Sequence, residues 1–385
     1  MTNFSPDDLH GYIAEHSAEL LDLIKTLCRI PAPSNDEGAR AAFLRDWFLT
    51  RCGSEEADVI VDGALNVIYR LNYRADEDVS IFMAHTDTVF PDLTPFEPEE
   101  REGRLYCPGV GDDTTNLAML MLSARYVATR KVPSDCGVLF VGNAGEEGLG
   151  NLKGCRKLME DHAGRVRQVV SFDGRLGNLT NKAVGSRRYR VAVSGQGGHS
   201  WNDFGNSNAI QILSEIIVDL YKIAPPAAPD GPTTLNVGKI SGGTSVNSIA
   251  ETSEMLFEYR SVTQRGLDIM ERKFREILER RRGEAEKIEV ELIGERPSAG
   301  KLDPTAQETL ERKAFEVIQS VTGKAPKVRA ASTDCNLPLS LGIPAVALGG
   351  YRGSGAHTRG EFIDLSSLSE GFEVVLRLIL RCMEA

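Results

Sequence analysis

Apolar residues recur along the chain in two patterns, which predict different elements. Near the start they return at helical spacing up to the segment RIPAPS, at Leu9, Tyr12, Ile13, Leu20, Ile24 and Leu27. A second helix is predicted over EGARAAFLRDWFLTRC. Further on, compact apolar runs alternate with helices such as NLAMLMLSARYVATR; the runs are LNVIYRL, VSIFMAH, GVLFVGN, RQVVSFD and IPAVALGG. Short strands that are apolar on both faces and alternate with helices predict an α/β domain, with a mostly parallel sheet and helices on both faces.

The stretch from residue 185 to 296 follows another pattern. Its elements come in the order strand SRRYRVAVSG, helix NSNAIQILSEIIVDLYKI, strands TTLNVGKI and ETSEMLFEYRSV, helix RGLDIMERKFREILERRR and strand KIEVELIG. This β-α-β-β-α-β order is the ferredoxin-like split βαβ arrangement, which forms a self-contained α+β unit. We therefore expect one domain from residues 1–184 and 297–385, interrupted by an insert of residues 185–296.

Composition narrows the classes of protein. With 385 residues, 41% of them hydrophobic, the chain can bury a large core and exceeds the length of one typical domain. A net charge of −11 argues against a nucleic-acid partner, because phosphate binding relies on clusters of lysine and arginine. No apolar run approaches the roughly 20 residues that span a bilayer, and the start lacks a signal-peptide pattern. Seven scattered cysteines without CxxC spacing fit reduced thiols, so we expect a cytoplasmic protein.

Histidines and acids collect where the predicted strands end. Those that follow such ends, or that precede the helix NLAMLMLSARYVATR, are His85, Asp87, Asp112, Asp113, Glu146, Glu147, Asp173 and His357. In an open parallel sheet, ligands bind outside the carboxyl ends of the strands. Imidazole and carboxylate together are the ligands of zinc and neighbouring divalent ions. The sequence therefore indicates a metal site at this edge of the sheet.

Each of these residues alone has a structural explanation. Asp113 fits a helix cap or a supporting group, His85 a core histidine, the adjacent acids Glu146 and Glu147 a solvated turn, and Asp173 a backbone turn. Their joint occurrence favours the metal site. The glycine-rich segments GVGDD, GNAGEEG and GGYRGSG would suit a phosphate-binding loop, but the carboxylates beside them would repel a pyrophosphate. A thiol pair of Cys335 with His357 lacks an orienting partner.

Six ordered motifs together resemble those of a known family. HTD, GxGDD, GEEG, an aspartate ending a strand, GGHS and GAHT are similar to motifs of the co-catalytic zinc peptidases. That family includes aminoacylases, glutamate carboxypeptidases, acetylornithine deacetylases and tripeptidases. The resemblance runs from about residue 75 to 365. It implies that the interrupted domain binds metal and is catalytic, and that the insert is a lid that mediates dimerisation.

The resemblance also implies a role for each motif residue. Asp112 would bridge two divalent ions, zinc in the family, with cobalt or manganese as alternatives. His85 and Asp173 would complete one ion, and Glu147 and His357 the other. Asp87 would orient the imidazole of His85. One departure stands out, because Thr114 and Thr115 occupy the positions where the family usually has lysine and glycine.

The pair of adjacent acids fits the same scheme. Side chains that leave an extended backbone in succession point in opposed directions. Glu147 could then bind metal while Glu146, the implied general base, faces the water between the two ions and passes its proton to the leaving nitrogen.

The insert carries three further residues that the resemblance singles out. His199, in GQGGHSW, would reach the active site of a partner subunit and stabilise the oxyanion, which implies a homodimer. Asn247 and Arg260 would hold the carboxylate of the substrate. For Arg260, an ion pair with Glu258 or Glu254 is the alternative.

The resemblance thus implies a metal-dependent amide hydrolase that acts on short peptides, most like a tripeptide aminopeptidase. An N-acyl amino acid deacylase or a carboxypeptidase is the alternative with the same metal chemistry. A catalytically silent homologue that binds peptides is the alternative from another class.

Overall fold

The computed structural model describes residues 6–227 and 231–384. In chain order, its helices are α1 (Pro6–Glu15), α2 (Ser17–Cys28), α3 (Gly38–Arg51), α4 (Asn116–Thr129), α5 (Lys153–Asp161), α6 (Ala209–Tyr221), α7 (Gln264–Arg281), α8 (Pro304–Thr322), α9 (Asn336–Ser340) and α10 (Leu368–Met383). Its strands are β1 (Val59–Val61), β2 (Val67–Leu71), β3 (Val79–His85), β4 (Glu99–Arg101), β5 (Arg104–Tyr106), β6 (Gly137–Asn143), β7 (Val166–Phe172), β8 (Asn178–Ala183), β9 (Gly185–Ser194), β10 (Gly198–His199), β11 (Thr234–Gly242), β12 (Ser248–Ile249), β13 (Thr252–Ser261), β14 (Lys287–Arg296), β15 (Lys327–Ala331), β16 (Ala345–Leu348), β17 (Gly353–Ser354) and β18 (Phe362–Asp364). The chain divides into two compact units, Met1–Lys182 with Lys301–Ala385, and Ala183–Gly300.

The larger unit is built on a sheet with the strand order β1-β2-β6-β3-β7-β16-β8-β15. Its four central strands, β6, β3, β7 and β16, run parallel, and β2 and β8 flank them in antiparallel orientation. The carboxyl ends of the central strands are in register, since His85 lies beside Asn143, and Phe172 beside Leu348. Polar residues that follow these strands therefore emerge at one edge of the sheet.

Helices cover both faces of this sheet, as the doubly apolar strands predict. Every residue of β3 and β6 is buried. On β3, Phe82 and Ala84 pack into a core that also takes in side chains of α1–α4, α8 and α10. Ile81 and Met83, which alternation places on the opposite face, are equally inaccessible to solvent. The predicted α/β fold with a mostly parallel sheet is confirmed.

The first apolar pattern corresponds to two helices rather than one. The helix is distorted at His16, between α1 and α2. Its hydrogen bonding continues across the distortion, because His16 N–H donates to Tyr12 O and Leu20 N–H to His16 O. The hydroxyl of Ser17 donates to Ile13 O at 2.7 Å, and such a bond to the carbonyl four residues back bends helices. The apolar spacing therefore passes through the break unchanged.

A second, small sheet in the larger unit was not predicted. It has the order β17-β18-β5-β4, and its strands are two or three residues long. β5 and β18 pair antiparallel, with Leu105 opposite Ile363. This pairing joins the chain just before Asp112 to the chain just after His357.

The smaller unit contains an antiparallel sheet with the order β11-β13-β9-β14. Its elements follow one another as β9, α6, β11, β13, α7 and β14, which is the β-α-β-β-α-β order read from the sequence. The apolar faces of α6 and α7 pack on one face of the sheet around Phe257 and Phe274. A separate two-stranded ribbon of β10 and β12 carries the GGHS segment.

In the part of the chain that the structure describes, no helix combines the length and the apolar composition needed to cross a membrane. All seven cysteines are buried free thiols.

Candidate active site

Histidines and carboxylates from five segments meet at the carboxyl edge of the large sheet. His85 ends β3, Asp173 directly follows β7, and the adjacent acids Glu146 and Glu147 lie in the loop after β6. Two further segments, which do not directly follow a strand of this sheet, contribute one residue each. Asp112 lies in the π-helical turn Val110–Thr115 before α4, and His357 in the loop between β17 and β18.

Asp112 lies at the centre of this group. One oxygen of its carboxylate, Oδ1, is 3.0 Å from His85 Nε2, and the other, Oδ2, is 3.2 Å from His357 Nε2. His357 Nε2 is also 2.9 Å from Glu147 Oε1. Potential ligand atoms of His85, Asp112 and Asp173 lie within 4.8 Å of one another, and so do those of Asp112, Glu147 and His357. The two clusters share Asp112, as the motifs lead one to expect of a bridging ligand.

The adjacent acids converge on one site, which corrects the argument that their side chains point in opposed directions. Ligand atoms of His85, Glu146 and Glu147 all lie within 4.8 Å of one another. The alternation of side chains holds within strands, whereas this pair follows Gly145, whose φ of +67° turns the chain out of β6. Both carboxylates are therefore available to the same centre.

Asp87 fixes the backbone of these two acids. Its carboxylate accepts the N–H of Glu146 and the N–H of Glu147, both at 2.9 Å, and the hydroxyl of Ser34 at 2.6 Å. His85 Nδ1 lies 3.0 Å from the main-chain oxygen of Asp87 and 3.5 Å from its carboxylate. Because a carbonyl can only accept, Nδ1 carries a proton, and it is Nε2 that faces Asp112. Asp87 thus orients the imidazole mainly through its main chain.

The Asp112 segment is held in an unusual conformation by its surroundings. Gly109 has a φ of +73°, and a Cβ at Gly111 would lie 2.6 Å from the ring of Tyr351. The peptide bond between Asp112 and Asp113 is cis. Three N–H groups of the segment, those of Gly109, Gly111 and Asp112, donate to the carboxylate of Glu361.

Asp113 and the two threonines have supporting contacts. The carboxylate of Asp113 accepts the N–H of His85 at 3.0 Å and the side-chain amide of Asn116 at 2.7 Å. Thr114 and Thr115 are buried. The Thr115 hydroxyl donates to Val110 O at 2.6 Å, so the position where the family usually has glycine serves to close the turn.

Buried negative charge dominates the electrostatics of the site. Burial, together with the charges of Asp112 and Glu146, raises the pKa of Asp173 well above its usual value. Burial also raises the pKa of Glu147 and raises the pKa of Glu361 to about 7. Carboxylates crowded in this way are destabilising until a cation neutralises them. This donor set of imidazole and carboxylate fits zinc and similar divalent ions.

The surrounding carboxylates also raise the pKa values of the two histidines, which favours the charged form of each ring. Hydrogen bonds to Asp112 and Glu147 raise the pKa of His357 to about 10. For His85, burial lowers the pKa, but the charge of Asp113 and the hydrogen bonds to Asp112 and Asp87 outweigh it and hold the pKa well above its usual value. Both imidazoles face carboxylates that would otherwise repel each other, as ligands of a shared cation centre do.

The three residues of the insert fall at two places in the smaller unit. His199 pairs with Ser248 in the β10–β12 ribbon, and Asn247 O accepts the N–H of Ser200. β13 begins at Thr252, and Arg260 lies eight residues further along it. At ~3.3 Å per residue, Thr252 and Arg260 are about 26 Å apart. Its guanidinium makes two bonds to Glu258, at 2.9 and 3.0 Å. The structure thus brings Asn247 beside the His199 segment and places Arg260 at the other end of the sheet, in the ion pair that was its alternative.

Two residues of the site were missed in the sequence, Ser34 and Glu361. Ser34 lies in the PAPS segment and carries no pattern of its own. Glu361 could have been found by asking which carboxylate accepts the N–H groups of the glycine-rich segment GVGDD, since such turns bind anions. The thiol of Cys335 is fully buried, and burial raises its pKa, so it is unsuited to act as a nucleophile.

A carboxylate shared by two clusters of histidine and acid, at the carboxyl edge of a parallel sheet, fits a site for two divalent cations. Residues 81–381 match Peptidase family M20/M25/M40. The chain belongs to this family and is a metal-dependent hydrolase.

Similar proteins differ in the reaction that their names give. The chain is 25% identical over 374 residues to the succinyl-diaminopimelate desuccinylase of Bordetella parapertussis. The matched residues cover 92% of this chain and 95% of that protein. Among solved structures, it resembles a tripeptidase from Staphylococcus aureus with a TM-score of 0.76 and 20% identity, over 95% of this chain and 99% of that one. It also resembles aminopeptidase PepT from Bacillus cereus with a TM-score of 0.73 and 22% identity, over 95% of this chain and 98% of that one.

Proposed function

We propose that the chain hydrolyses an amide bond of short peptides, most like a tripeptide aminopeptidase, with two divalent cations, zinc as the first choice and cobalt or manganese as alternatives. The observation that carries this proposal is the position of Asp112, whose two carboxylate oxygens face different histidines. A single carboxylate placed in this way suits two cations rather than one. The similarity in fold to a tripeptidase and to PepT over nearly the whole chain supports the choice of substrate.

The ligands divide into two sets around the shared aspartate. His85 and Asp173 would hold one cation with Asp112, and Glu147 and His357 would hold the other. Paired divalent cations supply Lewis acidity, which polarises a carbonyl and makes a water molecule a better acid. The protein contributes the fixed positions of five donors and a backbone, held by Asp87, that keeps the two glutamates in place.

Glu146 is the general base in this proposal. Its carboxylate lies within 4.8 Å of ligand atoms of His85 and Glu147, and its N–H is anchored on Asp87. It takes the proton of the attacking water and returns it to the nitrogen of the leaving amine, so that the base is restored at the end of each turnover.

His199 stabilises the developing oxyanion. Its Nδ1 accepts the N–H groups of Trp201 and Asn202, at 3.2 and 3.4 Å. The proton of the neutral ring is therefore on Nε2, which is left to donate to an oxyanion.

A homodimer would allow both His199 and Arg260 to contact the same substrate. Arg260 and Asn247 were both expected to hold the carboxylate of the substrate, yet about 26 Å of β13 separates Arg260 from the His199 and Asn247 end of the insert. If Arg260 leaves its ion pair with Glu258 to bind substrate, one copy of the insert cannot place both ends on one short substrate, whereas two copies could each supply one end. We therefore propose that His199 acts on the site of a partner subunit.

The second candidate is an N-acyl amino acid deacylase or carboxypeptidase, and the desuccinylase of Bordetella parapertussis favours it. The two candidates share their metal chemistry and differ in what holds the ends of the substrate. A silent peptide-binding homologue would retain the fold and bind peptides without hydrolysing them.

A substrate panel tests these candidates. The metal-free protein is reloaded with zinc, cobalt or manganese and assayed on tri-alanine, on N-acetyl and N-succinyl amino acids, and on dipeptides with a blocked amino terminus. We expect the highest kcat/KM on tri-alanine, with loss of rate when its amino group is acetylated. A higher kcat/KM on the acylated amino acids supports the deacylase, and binding of peptide without turnover under every metal supports the silent homologue.

A further inference from the structure

The backbone around Asp112 presents three N–H groups that its own turn cannot satisfy. Gly109 is in the left-handed region, and Asp112 and Asp113 depart from helical dihedral angles within the π-helical turn. A regular helix would leave its first N–H groups free for a cap. Here the N–H groups of Gly109, Gly111 and Asp112 converge on one point instead.

The carboxylate of Glu361 occupies that point. Its Oε2 accepts the N–H of Gly109 at 2.7 Å, and its Oε1 accepts those of Gly111 and Asp112 at 3.0 and 2.9 Å. The residue is 1% exposed, so water does not compete for these bonds. Concave groups of successive N–H donors bind anions, and this one binds a carboxylate of the same chain.

Glu361 also lies on the segment that carries His357. The two are four residues apart, and the N–H of Glu361 donates to Thr358 O at 3.3 Å. The main-chain oxygen of Glu361 accepts the N–H of Cys107 at 3.1 Å, just before the Asp112 segment. The main chain and the side chain of Glu361 therefore tie together the two segments whose side chains meet between Asp112 and His357.

We infer that Glu361 is a positioning residue, whose buried carboxylate holds the Asp112 segment against the His357 segment and so sets the shared aspartate between the two cation sites. The inference rests on the proposed function, because it gives Asp112 the role of shared ligand. Glu361 does not face the substrate in this account, and it acts only through the backbone of Asp112.

The donor pattern demands a carboxylate rather than an amide. All three partners are N–H donors, and a carboxylate offers acceptors on both of its oxygens. In Glu361→Gln, one side-chain oxygen is replaced by an NH2 group that faces at least one N–H. A buried donor is then left without an acceptor, and the Asp112 segment shifts to relieve it.

The experiment measures metal binding separately from activity. Wild type and Glu361→Gln are stripped of metal, and zinc affinity is measured by competition with a chromophoric chelator. The visible spectrum of each cobalt-loaded protein reports the coordination geometry. We expect zinc affinity to fall about 10- to 100-fold in Glu361→Gln, as for other partners that orient a ligand, with an altered cobalt spectrum and activity partly recovered at high zinc.

Asp364→Asn is the matched control. Asp364 lies three residues further along the chain, at the end of β18, and pairs with Arg104 at 2.9 Å, so its change also removes one carboxylate charge from the same stretch of chain. We expect its zinc affinity and cobalt spectrum to equal those of wild type. If Glu361→Gln is merely less stable, while its zinc affinity and cobalt spectrum match wild type, the inference is overturned and the proposed function stands.

A second variant covers failure of the glutamine variant to fold. Glu361→Asp keeps the charge but withdraws the carboxylate by one methylene, which lengthens the three bonds. We expect a smaller loss of zinc affinity in the same direction, and wild-type affinity here overturns the inference. A wild-type protein that binds no divalent ion overturns the proposed function and the inference together.

Discussion

Glu146 and Glu147 are neighbours in sequence, and the proposed function gives them different roles. Glu147 Oε1 lies 2.9 Å from His357 Nε2, in the position of a ligand. Glu146 shares the same anchor, Asp87, and it is the residue of the pair to which the proposal gives no cation. In the proposed function, one of the two adjacent carboxylates is thus a metal donor and the other the base.

Glu146→Gln tests this division. The change keeps the size of the side chain and removes its basicity, so we expect kcat to fall by about 10² to 10⁴ while two cations remain bound. Metal content by elemental analysis and kcat on the best substrate measure the two effects. Glu160→Gln, an exposed glutamate at the end of α5, is the control for the loss of one charge.

Either of two results would contradict the assignment. A glutamine variant that keeps the wild-type kcat is not missing its base. A variant that loses a cation shows that Glu146 is a ligand, and the general base must then be sought elsewhere.

At the scale of elements, the strands that deliver the site could be read from the sequence. VSIFMAH and GVLFVGN are β3 and β6 with the same bounds, because a strand buried on both faces is apolar throughout and ends where polar residues begin. His85 ends one such strand and Asp173 directly follows another, so the sequence also locates these two residues. The carboxyl ends of parallel strands share an edge, so their proximity follows as well.

The elements without a local signal could not be read. β5 and β18 are three residues each, too short for a period, and their pairing depends on contacts between distant parts of the chain. The role of Glu361 could not be read for the same reason, because the N–H groups that it accepts are about 250 positions away in the sequence. The phosphate-loop alternative was rejected because of the carboxylates beside GVGDD, yet the N–H groups of this segment do bind an anion, the carboxylate of Glu361.

Arg40 shows how one buried charge can join elements. It is 3% exposed on α3, and its guanidinium donates to Thr86 O, Leu27 O and Ile30 O, each at 2.8 Å. These bonds join the end of α2 and the residue after His85 to α3. Leu27 O also accepts the N–H of Ile30 at 3.1 Å, so the guanidinium adds a second donor there and reaches the carbonyls of Thr86 and Ile30 as well.

Arg40→Met should destabilise the fold. Methionine fills most of the volume, but Thr86 O and Ile30 O lose the donor that Arg40 supplies, at roughly 1–3 kcal/mol each, so we expect the free energy of unfolding to fall by at least about 2 kcal/mol. Urea denaturation followed by circular dichroism measures this. Arg51→Met, at the exposed end of the same helix, should change it by less than about 0.5 kcal/mol. Equal effects of the two changes would show that the buried bonds contribute nothing.

At the scale of the whole molecule, the proposed role of His199 makes activity depend on a second copy of the chain. If His199 serves a partner subunit, a mixed dimer of His199→Ala and Glu146→Ala contains one complete site and one doubly defective site. After exchange of subunits in an equal mixture, half of the dimers are mixed, so we expect about a quarter of wild-type activity from two inactive parents.

Activity of the mixture is compared with that of each parent at the same total concentration, and a mixture of either parent with itself is the control. No recovery after proven exchange of subunits would mean that His199 acts within its own chain, or not at all. A protein that sediments as a monomer would exclude action in trans.

The link between Gly109 and Glu361 also bears on synthesis. A ribosome delivers His85, Asp112, Glu147 and Asp173 well before residue 361 has emerged, so the nascent chain displays four of the five proposed ligands with the Asp112 turn still unfastened. If Glu361 positions Asp112 as inferred above, we expect such an intermediate to bind a cation more weakly than the complete chain does.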